Sequence, residues 1–373
     1  MKETMRRKGT QKISRREITR RVFLKGMVAA GTSVPFVGIG RPRRARAQTA
    51  ATLNVGTAPF INQGSIFIAS EMGFFEKVGI QVHLKQFMDG AFMMAPMASG
   101  ELDLAMPTAS AGFFNSLARG GAFRAILCCG QGKRGRAVTS INVRKDHYEA
   151  GIRTLKDLNR LKGKLVAVGA PGSINQYGMS NALLQAGLNP LKDVTWQTSV
   201  PQPDIVKQLG QKQVDAAELT YHLAYLAQKQ GFSQLIASRD EYLPDSQLGI
   251  IIARDELLEK KRDLLVRFAM AYIHTARLFN QVASEPGKHP NVLQMITKHI
   301  LIKDPELLKA VAPHWEWIAE DGLPNVKSVM EQQDHWGDVF KLVKEKVAQA
   351  RAFDLGIARE AAKRLASENP FRT

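Results

Sequence analysis

From Thr52 onward, short runs with period-two apolar spacing alternate with segments whose apolar residues recur at helical spacing. "TLNVGT" predicts a strand, "GSIFIASEMGFFEKVG" a helix ending in Gly, and "IQVHLKQF" a second strand. A short helix "GAFMMAPMASGE", a strand "LDLAMPT", a helix "SAGFFNSLARGG" and a strand "RAILCCG" complete this series. A second series runs from "AVTSINVRKD" through "TLKDLNRLKG", where Thr154 and Asp157 are spaced as a capping box. It continues as strand "KLVAVGAP", helix "SINQYGMSNALLQAGL", strand "DVTWQTS" and helix "QPDIVKQLGQKQ". Strand "VDAAEL", helix "YHLAYLAQKQ" and strand "SQLIAS" follow, and "QLGIIIARDEL" returns. Beyond about Asp255 the pattern is helical, including one expected helix across "VKSVMEQQDHWGDVFKLVKEKV".

Alternating strands and helices imply α/β lobes with largely parallel sheets. Two such series and a helical tail predict two lobes joined by two crossing strands, near Ala137–Val143 and Leu248–Ala253. The expected parts are lobe one from 48–140 and again 250–373, with lobe two at 141–249. Such an architecture closes on a ligand by hinge motion.

The first 47 residues follow another pattern. Arg20-Arg21 stand before Val22-Phe23-Leu24-Lys25, then a short apolar stretch to Gly40, then Ala45-Arg46-Ala47. The apolar stretch is shorter than the roughly 20 residues of a membrane-spanning helix. A charged start, a short apolar run and a small-x-small site make a secretory signal. The paired arginines place it in the twin-arginine type, exported by that machinery. Cleavage near Ala47 leaves a soluble mature chain outside the cytoplasmic membrane, with the periplasm as its expected location. The first cysteine is Cys128, so a lipid anchor on a mature N-terminal Cys is excluded.

This segment changes the meaning of the charge. The formal net charge is +18, but residues 1–47 hold 14 Lys+Arg against 2 Asp+Glu, leaving 38 against 32 in the rest. A mildly basic mature surface does not call for nucleic acid. Cys128 and Cys129 are the only cysteines and, being adjacent, read as small residues on a buried strand rather than a disulfide or metal pair.

Four segments resemble one family. "EMGFFEKVGIQVHL", "MASGELDLAMPTASAGFFNSLARGG", "LKDLNRLKGKLVAVGAPGS" and "LGQKQVDAAEL" occur in the order and spacing of solute-binding proteins of ABC importers. Those proteins serve alkanesulfonates, taurine, nitrate, aromatic acids and thiamine pyrimidine precursors. The likeness runs from about Val55 to Phe232, and Gln211-Lys212-Gln213 departs from the family's Gly before Val-Asp-Ala. The resemblance implies the bilobed periplasmic-binding-protein fold and a monomer that delivers a small-molecule solute to permease subunits with a cytoplasmic ATPase. It implies no cofactor and no catalysis.

In open α/β sheets, ligands sit beyond the carboxyl ends of strands, at helix N-termini whose free N–H groups suit oxyanions. Four junctions here offer candidate ligand-binding residues: Phe60, Asn62 and Gln63; Asp89 and Gly90; Thr108 and Ser110; and Gly172 with Ser173. Gly172 lets the backbone approach closely, Ser110 and Ser173 double as N-caps, and Tyr177 and Phe60 offer aromatic faces. Glu218 is expected to end its strand facing the cleft. The balance of helix N-termini over carboxylates favours a small organic anion such as a sulfonate or carboxylate. Glu218 and Asp89 keep open a thiamine pyrimidine precursor or another amine-bearing ring. The chain shows no H-E-x-x-H, G-x-S-x-G, P-loop or clustered metal ligands. An enzyme resembling pyrimidine synthase, with a run of cysteines and pyridoxal phosphate, and a ligand-presenting sensor partner are the readings from other classes.

Overall fold

The computed structural model describes residues 51–371. The export signal and its cleavage site lie outside the described residues. Among these residues ten strands form two five-stranded sheets. The first has the order β2 (Ile80–Gln86), β1 (Ala51–Thr57), β3 (Leu104–Ala105), β10 (Ile250–Arg254) and β4 (Phe123–Cys128). The second has the order β7 (Thr195–Gln197), β6 (Leu165–Ala167), β8 (Ala216–Thr220), β5 (Thr139–Arg144) and β9 (Ser233–Ser238). This is the bilobed periplasmic-binding-protein fold.

Each sheet is mixed rather than parallel throughout. β1 runs parallel to β2 and β3, and β6 parallel to β7 and β8. β10 is antiparallel to β3 and β4, and β5 is antiparallel to β8 and β9. The exceptional strands, β5 and β10, are those by which the chain passes between sheets. A strand arriving from the opposite sheet enters at the end where its neighbours finish, so it must run against them. Each also carries a register irregularity, between Ile251 and Ile252 and between Ile141 and Asn142, the local kink a bulge supplies.

The largest core lies on the first sheet. The helix Arg262–Ser284 buries Phe268, Tyr272 and Phe279, and Phe268 stacks on Phe75 at 5.1 Å. Cys128 and Cys129 are fully buried free thiols in this core. A second cluster around Phe113, Phe114 and Trp336 also takes in Ile174 and Tyr177 from the segment that carries the other sheet.

Several expected elements differ in detail. Residues 64–79 break at Gly73, whose φ of 67° ends the helix Gly64–Glu71 and starts the turn Phe74–Lys77. Thr154 and Asp157 do form a capping box, but on a 3-10 helix, Leu155–Leu161. The helix expected across 326–347 stops at Asp338. There the chain doubles back: the Leu342 N–H donates to the Trp336 carbonyl at 2.8 Å, and Lys341 takes a φ of 56°. The doubled-back segment reaches the second half of the molecule. Phe340 lies edge-on to Trp196 at 5.9 Å, and His335 Nε2 pairs with Ser180 Oγ at 2.9 Å.

Candidate functional site

The carboxyl ends of β1, β3, β6 and β8 converge on one pocket between the sheets, with a cavity of about 60 Å³. Phe60, Asn62, Gln63, Asp89, Gly90 and Thr108 line it from the first half, and Ser173 from the second. Gln63 is held by its own bonds: Oε1 accepts from the Ala58 N–H at 2.7 Å, and Nε2 donates to the Met106 carbonyl at 3.1 Å. Gly90 packs where a Cβ would meet Pro107 Cα at 2.9 Å, so a side chain there would push the wall apart. Ser173 caps the helix Ile174–Gln185, its Oγ accepting from the Gln176 N–H at 3.3 Å.

Four expected residues sit elsewhere. Ser110 precedes the helix Ala111–Ala118 without a side-chain cap bond, and it is buried beside the pocket rather than lining it. Gly172 does not offer its N–H to the cleft: that N–H donates to Gln176 Oε1 at 2.7 Å, and its carbonyl accepts from the Ala111 N–H at 3.2 Å. Tyr177 is buried edge-on against His335 at 4.9 Å and packs near Trp336.

Glu218 requires the clearest correction. It does not face the cleft but is fully buried behind it. Its Oε1 accepts from Arg239 Nη1 at 2.6 Å, Thr139 Oγ1 at 2.6 Å and Tyr242 Oη at 3.0 Å. Its other oxygen packs so close to the Ile174–Gln185 helix that a Cβ at Gly178 would lie 2.0 Å from it. Burial pushes the carboxyl above its ordinary range, with the Arg239 guanidinium pulling the other way. The pair is a scaffold. Arg239 also donates to the Ile174 carbonyl at 3.1 Å and to Thr139 Oγ1 at 3.1 Å, fixing two pieces of the pocket wall.

The pocket also contains residues that sequence reasoning missed. Thr139, Asn175, Gln202, Thr220, His222 and Glu316 all line it. Gln202 Oε1 accepts from both the N–H and the hydroxyl of Thr220, at 2.9 and 3.2 Å, and Asn175 Nδ2 donates to the Glu218 carbonyl at 3.3 Å. His222 and Glu316 are different. Each is about 94% removed from solvent, and His222 Nε2 and Glu316 Oε2 lack a hydrogen-bond partner. Burial lowers the His222 imidazole to about 4 and raises the Glu316 carboxyl to about 7. Glu316 falls in a stretch expected to be helical tail, but the 3-10 turn ends at His314 and the chain then runs extended beside Gln131. A lone acid between Trp315 and Trp317 was the one available signal.

Among the described residues, no cluster of three or more His, Cys, Asp or Glu side chains is arranged to hold a metal. No Lys or Arg is found among the residues lining the pocket.

A family model described as the NMT1-like family matches residues 46–297. Comparison with curated protein sequences finds no significant match. Solved structures with the same fold include the alkanesulfonate-binding protein SsuA from Xanthomonas axonopodis pv. citri bound to MOPS. It is 17% identical, the match covers 82% of this chain and 98% of that one, and the TM-score is 0.64. The periplasmic nitrate-binding protein NrtA from Synechocystis PCC 6803 is 13% identical over 87% of this chain and 91% of that one, with a TM-score of 0.69. The desulfurization enzyme DSZB is 13% identical over 84% and 99%, with a TM-score of 0.57.

Proposed function

The chain belongs to the NMT1-like family, and on that footing we propose that it is the exported solute-binding component of an ABC-type importer. It captures a small solute between lobes 48–140 with 250–373 and 141–249, and hands it to membrane permease subunits. The observation that carries this reading is the pocket itself. Its walls come from both sheets, and among the described residues the chain passes from one sheet to the other into β5 and back into β10, a geometry that couples ligand contact to hinge closure. Kinship of fold with sulfonate- and nitrate-binding proteins supports it, and the two-arginine leader supports an exported, periplasmic protein.

The fold also occurs in a desulfurization enzyme. We favour binding over catalysis here because the residues lining the pocket include no cysteine, lysine or hydroxyl–histidine pair with hydrogen-bond geometry. A thermal-shift screen of the mature protein against sulfonates, carboxylates, nitrate and pyrimidines tests the reading. A ligand at 100 times its Kd adds about 2.7 kcal/mol, and small-angle scattering should then show a smaller radius of gyration. Binding with an unchanged radius would reject closure; turnover of a ligand would reject a pure binding role.

A further inference from the structure

We infer that the solute carries a hydrogen-bond donor on nitrogen, an amine or ring N–H, and that Glu316 is the residue that selects it. This deepens the solute-capture reading and rests on it. The position of Glu316 is fixed by its neighbour: the Gln131 N–H donates to the Trp317 carbonyl at 2.8 Å, and the Trp317 N–H donates back at 3.1 Å. Its stem packs on Gly130, where a Cβ would stand 3.2 Å from the Glu316 side chain. Gly130 has a φ of 98°, so this close approach needs glycine. Backbone and glycine together press a carboxyl group into the pocket wall and leave Oε2 without a donor.

An unpaired buried oxygen of this kind is costly, and folded proteins rarely keep one. Its natural partner is whatever enters the pocket. The Arg136 guanidinium lies close enough to act on it electrostatically but makes no hydrogen bond to it: Nη2 bonds to Ser284 Oγ at 2.9 Å, and Nη1 is buried without a partner. From the other half His222 brings a second unpaired group, Nε2, to the same space. Each half thus offers one unsatisfied polar atom to a solute held between them.

The charge pattern decides the chemistry. The carboxyl groups of Asp89 and Glu316 line the pocket, no Lys or Arg does, and burial keeps His222 neutral. A sulfonate or carboxylate would meet the Glu316 carboxyl with no cationic side chain in the wall to offset it. A nitrogen donor would satisfy Glu316 directly, and Phe60 in the same wall gives a flat ring a surface to stack on. The organic anion expected from the sequence is therefore the less favoured class.

The test is calorimetry on the mature protein with two probe sets: aminopyrimidine and benzylamine as donors, and benzoate, ethanesulfonate and nitrate as anions without N–H. Donor probes should bind, and Glu316→Gln should weaken them about 10- to 100-fold, the range for a hydrogen bond to a charged group. Glu316→Leu should weaken them at least as much. Loss of fold is checked by melting, where Glu316→Gln should be as stable as wild type or more so, since it removes a buried charge. If the anions bind and Glu316→Gln leaves them unchanged or tighter, the donor inference fails while solute capture stands. If neither set binds, both fail.

Discussion

The Ala111 N–H donates to the Gly172 carbonyl at 3.2 Å, a backbone bond between residues that open helices on opposite sides of the pocket. A Cβ at Gly172 would lie 2.9 Å from Ala111 Cβ, and the residue has a φ of 68°. Gly172→Val should therefore hold the halves apart. We expect weaker capture of any solute and, with ligand present, a larger radius of gyration than wild type. The strained backbone should add a stability loss of about 1–3 kcal/mol. Wild-type compaction in the variant would show that this contact does not limit closure.

Removing the buried partner of Arg239 should cost far more than losing a surface pair. Glu218→Gln leaves a guanidinium with no measurable exposure and no counter-charge, and breaking such pairs costs about 3–5 kcal/mol. Urea denaturation should report a loss of that size, with solute affinity falling as a secondary effect through displaced Thr139 and Ile174. A loss under about 1 kcal/mol would mean the pair does not brace the pocket wall.

Stability should depend on pH with two opposing signs. His335, half-buried and paired with Ser180, is lowered by burial from 6.5 to about 4, as is His222. Each binds its proton less tightly when folded, so stability is present above pH 6.5 and is lost as pH falls towards 4, by about 3 kcal/mol per residue. Glu316 is raised from 4.5 to about 7. It binds its proton more tightly when folded, so its contribution is present below pH 4.5 and is lost as pH rises through 7. Ligand-free His335→Gln should lose less stability than wild type between pH 6.5 and 4. Glu316→Gln should match wild type near pH 4.5 and exceed it at pH 8. Parallel pH profiles for all three proteins would contradict both assignments.

Export gives a test of a different kind. Changing Arg20 and Arg21 to lysine keeps the charge but removes the guanidinium geometry that we expect the export receptor to read. Precursor should stay in the cytoplasm, whereas wild-type mature protein should begin near Gln48 on N-terminal sequencing. Normal processing of the double-lysine variant would exclude the twin-arginine route.

The fold was legible because alternating apolar periods do not depend on distant contacts: each of the ten strands among the described residues overlaps a segment that reads as strand, to within a residue at Ala51, Phe123 and Thr220. What the pattern could not show was direction. The antiparallel placement of β5 and β10 follows from which sheet they left, a non-local fact. Helix ends set by tertiary turns were equally hidden, as at Asp338, where helical spacing continues past the end of the helix. In the pocket, the rule that ligands sit at strand ends brought Phe60, Asn62, Gln63, Asp89, Gly90, Thr108 and Ser173 together. It misjudged Glu218 because position along a strand does not tell which way a carboxylate turns when an arginine waits behind it. Glu316 escaped because it lies on an irregular stretch beside Gln131 that has no periodicity to read.

The insertion of β10 between β3 and β4 has a consequence for the order in which the chain can fold as it is made. β1 to β4 leave the ribosome first, yet their sheet has a gap until residues 250–254 arrive to fill it. The second sheet draws all its strands from 139–238, an uninterrupted stretch, so it is the one able to close while synthesis continues. The N-terminal half must then wait with unpaired strand edges, the state in which chains aggregate. A truncation ending before Ile250 should strand the molecule there, with one finished half and one adhesive half. A compartment that accepts cargo only after folding would never receive it.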